Sequence, residues 1–196
     1  FVVDARTPEL SDNSIAKANG SQTDSQIYYT KENVVITTKV TDRFIDENEV
    51  KIAISKNGEK AIERTLAEWK ADTKGFDGID YSLKYDSNEM NSLASRSTRT
   101  FIFTIPARGN EGDFTYQVSA VDYAKNPAQN TVTRFCIDTT QPEVTVTYSP
   151  IKNGQVQNAL NISGNNISYV NQQYDAFQVD VKIMEKHLKG NDKAQI

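Results

Sequence analysis

The chain has 196 residues, a formal net charge of −4, one cysteine and one histidine. Acidic and basic residues are interspersed, which argues against nucleic-acid binding, because that class needs a concentrated cationic face to displace counterions. A lone cysteine excludes an internal disulfide, the single His and Cys argue against a four-ligand zinc site, and no stretch approaches the roughly 18 apolar residues of a membrane-spanning helix.

The chain opens on "FVVDARTPEL" (Phe1–Leu10), and the same words return as "FCIDTTQPEV" (Phe135–Val144). Phe1/Phe135, Asp4/Asp138, Pro8/Pro142 and Glu9/Glu143 match at an offset of 134 residues. A joint that occurs twice implies a module strung between its copies. Ser11–Asp24, rich in Ser, Asn and Asp, reads as loop. "NVVITTKVTDRF" then gives the clearest strand: Val34, Ile36, Thr38 and Val40 share one face, with Lys39 on the other. "EVKIAISKNGE" alternates Val50, Ile52 and Ile54 before Asn57-Gly58, a dipeptide suited to the positive dihedrals of a tight hairpin.

"KAIERTLAEWK" is ambiguous. Ile62, Leu66 and Trp69 suit a short amphipathic helix, and a twisted strand fits almost as well. Ala71–Ser97 is polar and loop-like, with "IDYSLKY" readable as a short edge strand. "TRTFIFTIP" and "DFTYQVSAVD" resume strand patterning, the latter with Phe114, Tyr116, Val118 and Ala120 on one face. A polar turn, "YAKNPAQN", leads into the closing strand "TVTRFCID". Cys136 in that strand reads as a small apolar side chain.

Beyond the second joint, "AFQVDVKIMEKHL" repeats the first strand, with Phe177, Val179, Val181 and Ile183 facing in. Val40 pairs with Ile183 at an offset of 143 residues, so the second copy carries an insertion, placed in Asn153–Gln173. About seven short strands with turn signals between them and at most one short helix describe an all-β antiparallel sandwich. The expected division is a complete module over 1–140, with 1–4 as the tail of a preceding module or a linker, and the N-terminal part of a second module over 141–196. That second part has few partner strands, so the expectation is that they come from a longer parent or from another chain.

"GDFTYQVSAVDYAKNPAQNTVTRFCIDTTQPEVTVTY" resembles the repeated immunoglobulin-like modules of large bacterial surface proteins and adhesins. Gly112/Phe114, then Asp122/Ala124/Asn126, then Phe135/Ile137/Asp138/Thr139/Thr140/Pro142 carry the likeness. Lys125 departs from it, standing where that family usually has Gly. The resemblance implies tandem immunoglobulin-like sandwiches, one complete and one partial, in an extracellular cell-wall-attached or secreted protein. It implies a non-enzymatic spacer, stalk or adhesion module whose partners are its neighbouring modules. On this reading Asp4, Pro8, Asp138, Thr139, Thr140 and Pro142 are structural linker residues.

Trp69, Phe76, Tyr81 and Tyr85 could stack on sugar rings, which gives the alternative reading of a module that binds a glycan or a host surface protein. Their structural reading is sealing one end of the core. Calcium is the one metal with a plausible donor set: Asp42 ends one strand, Asp122 begins the turn after another, and Asp4, Glu9, Asp138 and Glu143 flank the joints, with Asp42, Asp122 and Asp138 the leading candidates. "DTKGFDGID" misses the calcium-loop spacing, and turn hydrogen bonds account for Asp42 and Asp122 without an ion. No cofactor is therefore expected, with calcium the only candidate. The only imidazole, His187, falls in the second copy, which argues against Ser-His-Asp catalysis in the first and leaves a carboxylate pair at hydrolase spacing as the remaining catalytic reading. An isopeptide bond would need Lys39 buried, and its alternation places it outward. Asn19, Asn161 and Asn166 fit glycosylation sequons that are uninformative in a bacterial protein.

Overall fold

The computed structural model describes residues 3–15, 21–22, 27–85, 97–160 and 173–187, and the sequon asparagines Asn19, Asn161 and Asn166 lie outside them. The chain divides into two compact units, Phe1–Thr139 and Thr140–Ile196. The first contains β1 (Glu9–Leu10), β2 (Ser14–Ile15), β3 (Ser21–Gln22), β4 (Tyr28–Thr30), β5 (Val34–Asp42), β6 (Ile45–Lys56), β7 (Ile62–Thr65) and helix α1 (Leu66–Ala71). It continues with β8 (Asp80–Tyr85), β9 (Ser97–Ile105), β10 (Gly112–Asp122), β11 (Pro127–Gln129) and β12 (Thr133–Ile137).

These strands form a β-sandwich. One sheet runs β1–β5–β9–β8, with β2 also on β5. The other runs β3–β4–β12–β10–β6–β7, with β11 also on β10. Pairing is antiparallel except between β4 and β12, where Tyr28, Tyr29 and Thr30 run parallel to Phe135, Cys136 and Ile137. Side chains alternate across a strand, so every second residue of β5, β9, β6 and β10 enters the space between the sheets. Ile36, Val40, Ile54, Phe103, Ile105 and Ala120 are there fully buried. The aromatic rings touch in series, Trp69–Phe103 at 6.5 Å, Phe103–Tyr116 at 5.5 Å and Phe114–Phe135 stacked at 5.0 Å. Cys136 is buried in β12.

The ambiguous segment is both things at once, strand β7 followed by helix α1. The switch is set by a capping box: the Thr65 hydroxyl accepts from the Glu68 N–H, and the Glu68 carboxylate accepts from the Thr65 N–H at 2.8 Å. Those bonds hold Glu68 below the ordinary carboxylate pKa. The helix is only a turn and a half, too short to persist alone, and Leu66 and Trp69 anchor it to the core. The following insert is packed rather than floating, since Phe76 and Ile79 are buried. Buried Asn110 ties it down, donating to Asp77 O at 2.7 Å and Pro106 O at 3.0 Å and accepting from the Asp77 N–H at 2.9 Å. "IDYSLKY" forms β8, the edge strand on β9.

Among the described residues the second unit is a three-stranded sheet, β14 (Gln155–Val156), β13 (Glu143–Lys152) and β15 (Ala176–Met184). Its β13–β14 hairpin turns on Asn153-Gly154, with φ of 52° and 74°. Asn57-Gly58 in the first unit shows the same dihedral pattern, 53° and 77°. The internal repeat extends to strand register. Glu9 and Leu10 pair with Thr41 and Val40, and their counterparts Glu143 and Val144 pair with Met184 and Ile183. Among the described residues no helix is long and apolar enough to cross a membrane.

Candidate metal centre

The inward rows of β5 and β10 each end in an aspartate. Val34, Ile36, Thr38 and Val40 lead to Asp42, and Phe114, Tyr116, Val118 and Ala120 lead to Asp122. Parity therefore places both carboxylates inside rather than on the surface, and Asp42 is 1% exposed and Asp122 0%. The two strands belong to facing sheets and end at the same pole of the sandwich. Asp4 reaches that pole from the N-terminal segment. One ligand oxygen from each of Asp4, Asp42 and Asp122 lies within 4.8 Å of the other two.

Turn geometry holds each group in place. Asp42 Oδ1 accepts the Phe44 N–H at 2.7 Å. Asp122 accepts twice from Asn126, the backbone N–H on Oδ1 at 2.8 Å and Nδ2 on Oδ2 at 2.7 Å. The Asn126 amide also reaches the carbonyls of Asp4 and Arg6, at 3.3 and 3.2 Å, so it ties the incoming segment to the turn after β10. That turn needs a left-handed residue, and Lys125 takes it at φ 70°. The backbone is thus the one a glycine would give, with Lys125 Nζ reaching Asp46 at 3.7 Å and Glu49 at 3.8 Å.

Asp4 is the incompletely satisfied member. Its Oδ1 accepts from the Arg6 N–H at 3.1 Å. Its Oδ2 is sealed from solvent and has no hydrogen-bond partner. Neither Asp4 nor Asp122 has an ion-pair partner among the described residues. An adjoining cleft of about 430 Å³ is lined by Asp4, Arg6, Asp42, Arg43 and Phe44 among others. The Arg43 guanidinium lies over the Phe44 ring at 4.8 Å.

The sequence-derived candidates separate cleanly against this geometry. Asp42 and Asp122 come together. Asp138 does not join them, because β12 is antiparallel to β10 and ends opposite Gly112, at the other pole, where the Asp138 N–H donates to Thr30 O at 2.9 Å. Asp4, read as a linker residue, takes the third place. Its fellow linker residues differ in setting: Pro8 is buried, Thr139 donates to Glu111, and Thr140 and Pro142 are exposed.

The proposed sugar-stacking surface is not formed by its leading residues. Trp69 is fully buried and donates its indole N–H to Ile52 O at 2.8 Å, and Phe76 is buried against it at 5.5 Å. Tyr81 is half-buried under Lys70, while Tyr85 ends β8 with its side chain outside the described residues. A core position explains Trp69 because its polar edge finds a backbone carbonyl there. Comparison with protein-family models and with curated proteins found no match for this chain.

Proposed function

We propose that the chain is a non-enzymatic immunoglobulin-like repeat from a bacterial cell-surface protein, serving as a rigid spacer or adhesion module outside the cell. The observation that carries this reading is the repeated joint together with its repeated strand register, Glu9↔Thr41 and Glu143↔Met184. Strand order supports the immunoglobulin-like part. With β1/β2 as A, β5 as B, β6 as C, β8 as D, β9 as E, β10 as F and β12 as G, the sheets read ABED and GFC, the order of that fold. A spacer also needs its ends at opposite poles. In the first unit Asp4 stands beside the ends of β5 and β10, and Asp138 stands beside the start of β10. Such a unit advances the chain by about the length of β10, roughly 35 Å at about 3.4 Å per residue.

Small-angle scattering from concatemers of residues 1–140 tests this. The maximum dimension should grow by a constant increment of roughly 35–40 Å per added copy. Compaction of the copies into a globule would overturn the spacer reading. Protease shaving of intact cells tests the location, since a surface repeat is cut without lysis and an internal one is not.

A further inference from the structure

We propose that two copies of the chain pair through the outer edge of β15, antiparallel about a twofold axis, so that their second units form one continuous sheet. The edge is open where the repeat provides for a strand. Glu143 and Val144 pair with Met184 and Ile183 as Glu9 and Leu10 pair with Thr41 and Val40, so β13 stands in the place of β1 and β15 in that of β5. In the first unit β5 takes β9 on its other side, through nine antiparallel residue pairs from Val34↔Ile105 to Asp42↔Ser97. Among the described residues β15 pairs with β13 alone. It is nine residues long, its register with β13 is unbroken, and it holds neither proline nor glycine. The usual obstacles to a further strand are missing from it.

The charges name the occupant. Asp180 and Lys182 share the polar face of β15 with Gln178, whose amide donates to Asp180 at 2.9 and 3.0 Å. Phe177, Val179, Val181 and Ile183 share the other face. Identical antiparallel strands related by a twofold axis must place one residue opposite itself, because successive pairs alternate between two hydrogen-bonding kinds. Three such registers overlap by seven residues or more, centred on Val179, Asp180 or Val181. The first leaves Lys182 opposite Ala176 and Asp180 opposite Gln178, with no charge matched. The second sets Asp180 against Asp180. The third sets Asp180 of each copy against Lys182 of the other, twice over, and Val179 against Ile183. Opposite charges across a ladder stabilise it and like charges weaken it, so Val181 marks the axis. The strand is complementary to itself both in charge and in apolar parity.

An edge contact of this length is smaller than the roughly 1,200 Å² at which stable interfaces begin, so the association is weak, with a Kd between about 10⁻⁵ and 10⁻³ M. It does not depend on the spacer reading, since β15 offers the same edge in any setting.

The test is sedimentation velocity of the 196-residue chain between about 10 μM and about 1 mM at low salt, where exposed charge pairs are least screened. The unmodified chain should pass from monomer toward dimer across this range. Asp180→Lys or Lys182→Asp puts like charges at both pairs and should weaken the dimer at least about tenfold. An equimolar mixture of the two variants restores both pairs, and should dimerise like the unmodified chain although neither variant does so alone. That recovery also separates lost pairing from lost folding. A chain that stays monomeric to about 1 mM overturns the proposal. So does a dimer that either substitution leaves unchanged, which would place the contact on another surface, and so does a mixture that stays monomeric.

Discussion

The β1–β5 pair of the first unit and the β13–β15 pair of the second share a register and differ in what lies over them. Val34, Ile36, Thr38 and Val40 are at most 1% exposed, because β6, β10 and β12 cover them. Their counterparts at an offset of 143 begin with Phe177 and Val179, which are 42% and 47% exposed, and continue with Val181 and Ile183, both half-buried. The same alternation that becomes core in one unit is an apolar sheet face in the other. Periodicity and turn chemistry fix which residues pair. Burial comes only from a second layer, and with it most of the stability.

The largest expected effect breaks this comparison directly. Ile36→Ala should cost about 2–5 kcal/mol of unfolding free energy by opening a cavity between packed sheets. Its counterpart Val179→Ala should cost less than about 1 kcal/mol, since that side chain is already half in water. Urea unfolding followed by the fluorescence of Trp69, the sole tryptophan, reads the first unit, and amide hydrogen exchange in β13 and β15 reads the second. Equal costs at the two positions would mean that the second unit's face is covered after all.

An intermediate effect appears at high pH. Burial pushes the Tyr116 phenol far above its ordinary pKa, with a hydrogen bond to Thr38 opposing in part. The folded state therefore keeps a proton that the unfolded chain releases near pH 10, so this contribution is intact below about pH 10 and is lost as pH rises beyond it. The slope attributable to one such group is at most about 1.4 kcal/mol per pH unit. Tyr116→Phe should flatten the alkaline limb of the first unit's stability curve.

The smallest effect contrasts two turns. Lys125 holds a left-handed conformation that costs a residue with a Cβ about 1 kcal/mol, against exposed ion pairs each worth well under that. Lys125→Gly should gain about 0.5 kcal/mol in urea unfolding. Asn153→Gly in the second unit should gain nothing, because Asn already tolerates that region. A loss of more than about 1 kcal/mol for Lys125→Gly would show that the pairing to Asp46 and Glu49 outweighs the backbone strain.

Much of this was legible in the chain, and the failures have physical causes. The parity of β5 and β10 points Asp42 and Asp122 inward from sequence alone. The Thr65-x-x-Glu68 pattern is a written capping box that would have decided for a helix after Ile62. Strand β4 leaves no local signal, since three residues pairing in parallel with β12 carry no alternation to read. Which joint aspartate meets them, Asp4 rather than Asp138, depends on which way each strand runs, a property of topology rather than of pattern. Trp69 illustrates the same gap: a tryptophan in a polar stretch looks exposed until a carbonyl 17 residues away takes its N–H.

The parallel seam between β4 and β12 bears on how the first unit meets tension. Once β1 and β2 are drawn off β5, pulling the two ends of the unit apart draws β4 toward one pole and β12 toward the other, along the length of the strands. Hydrogen bonds spanning such a seam share the load and must fail together, whereas an antiparallel hairpin peeled from its tip surrenders them singly. Three residue pairs at this seam are thus placed where a tether would be loaded in shear.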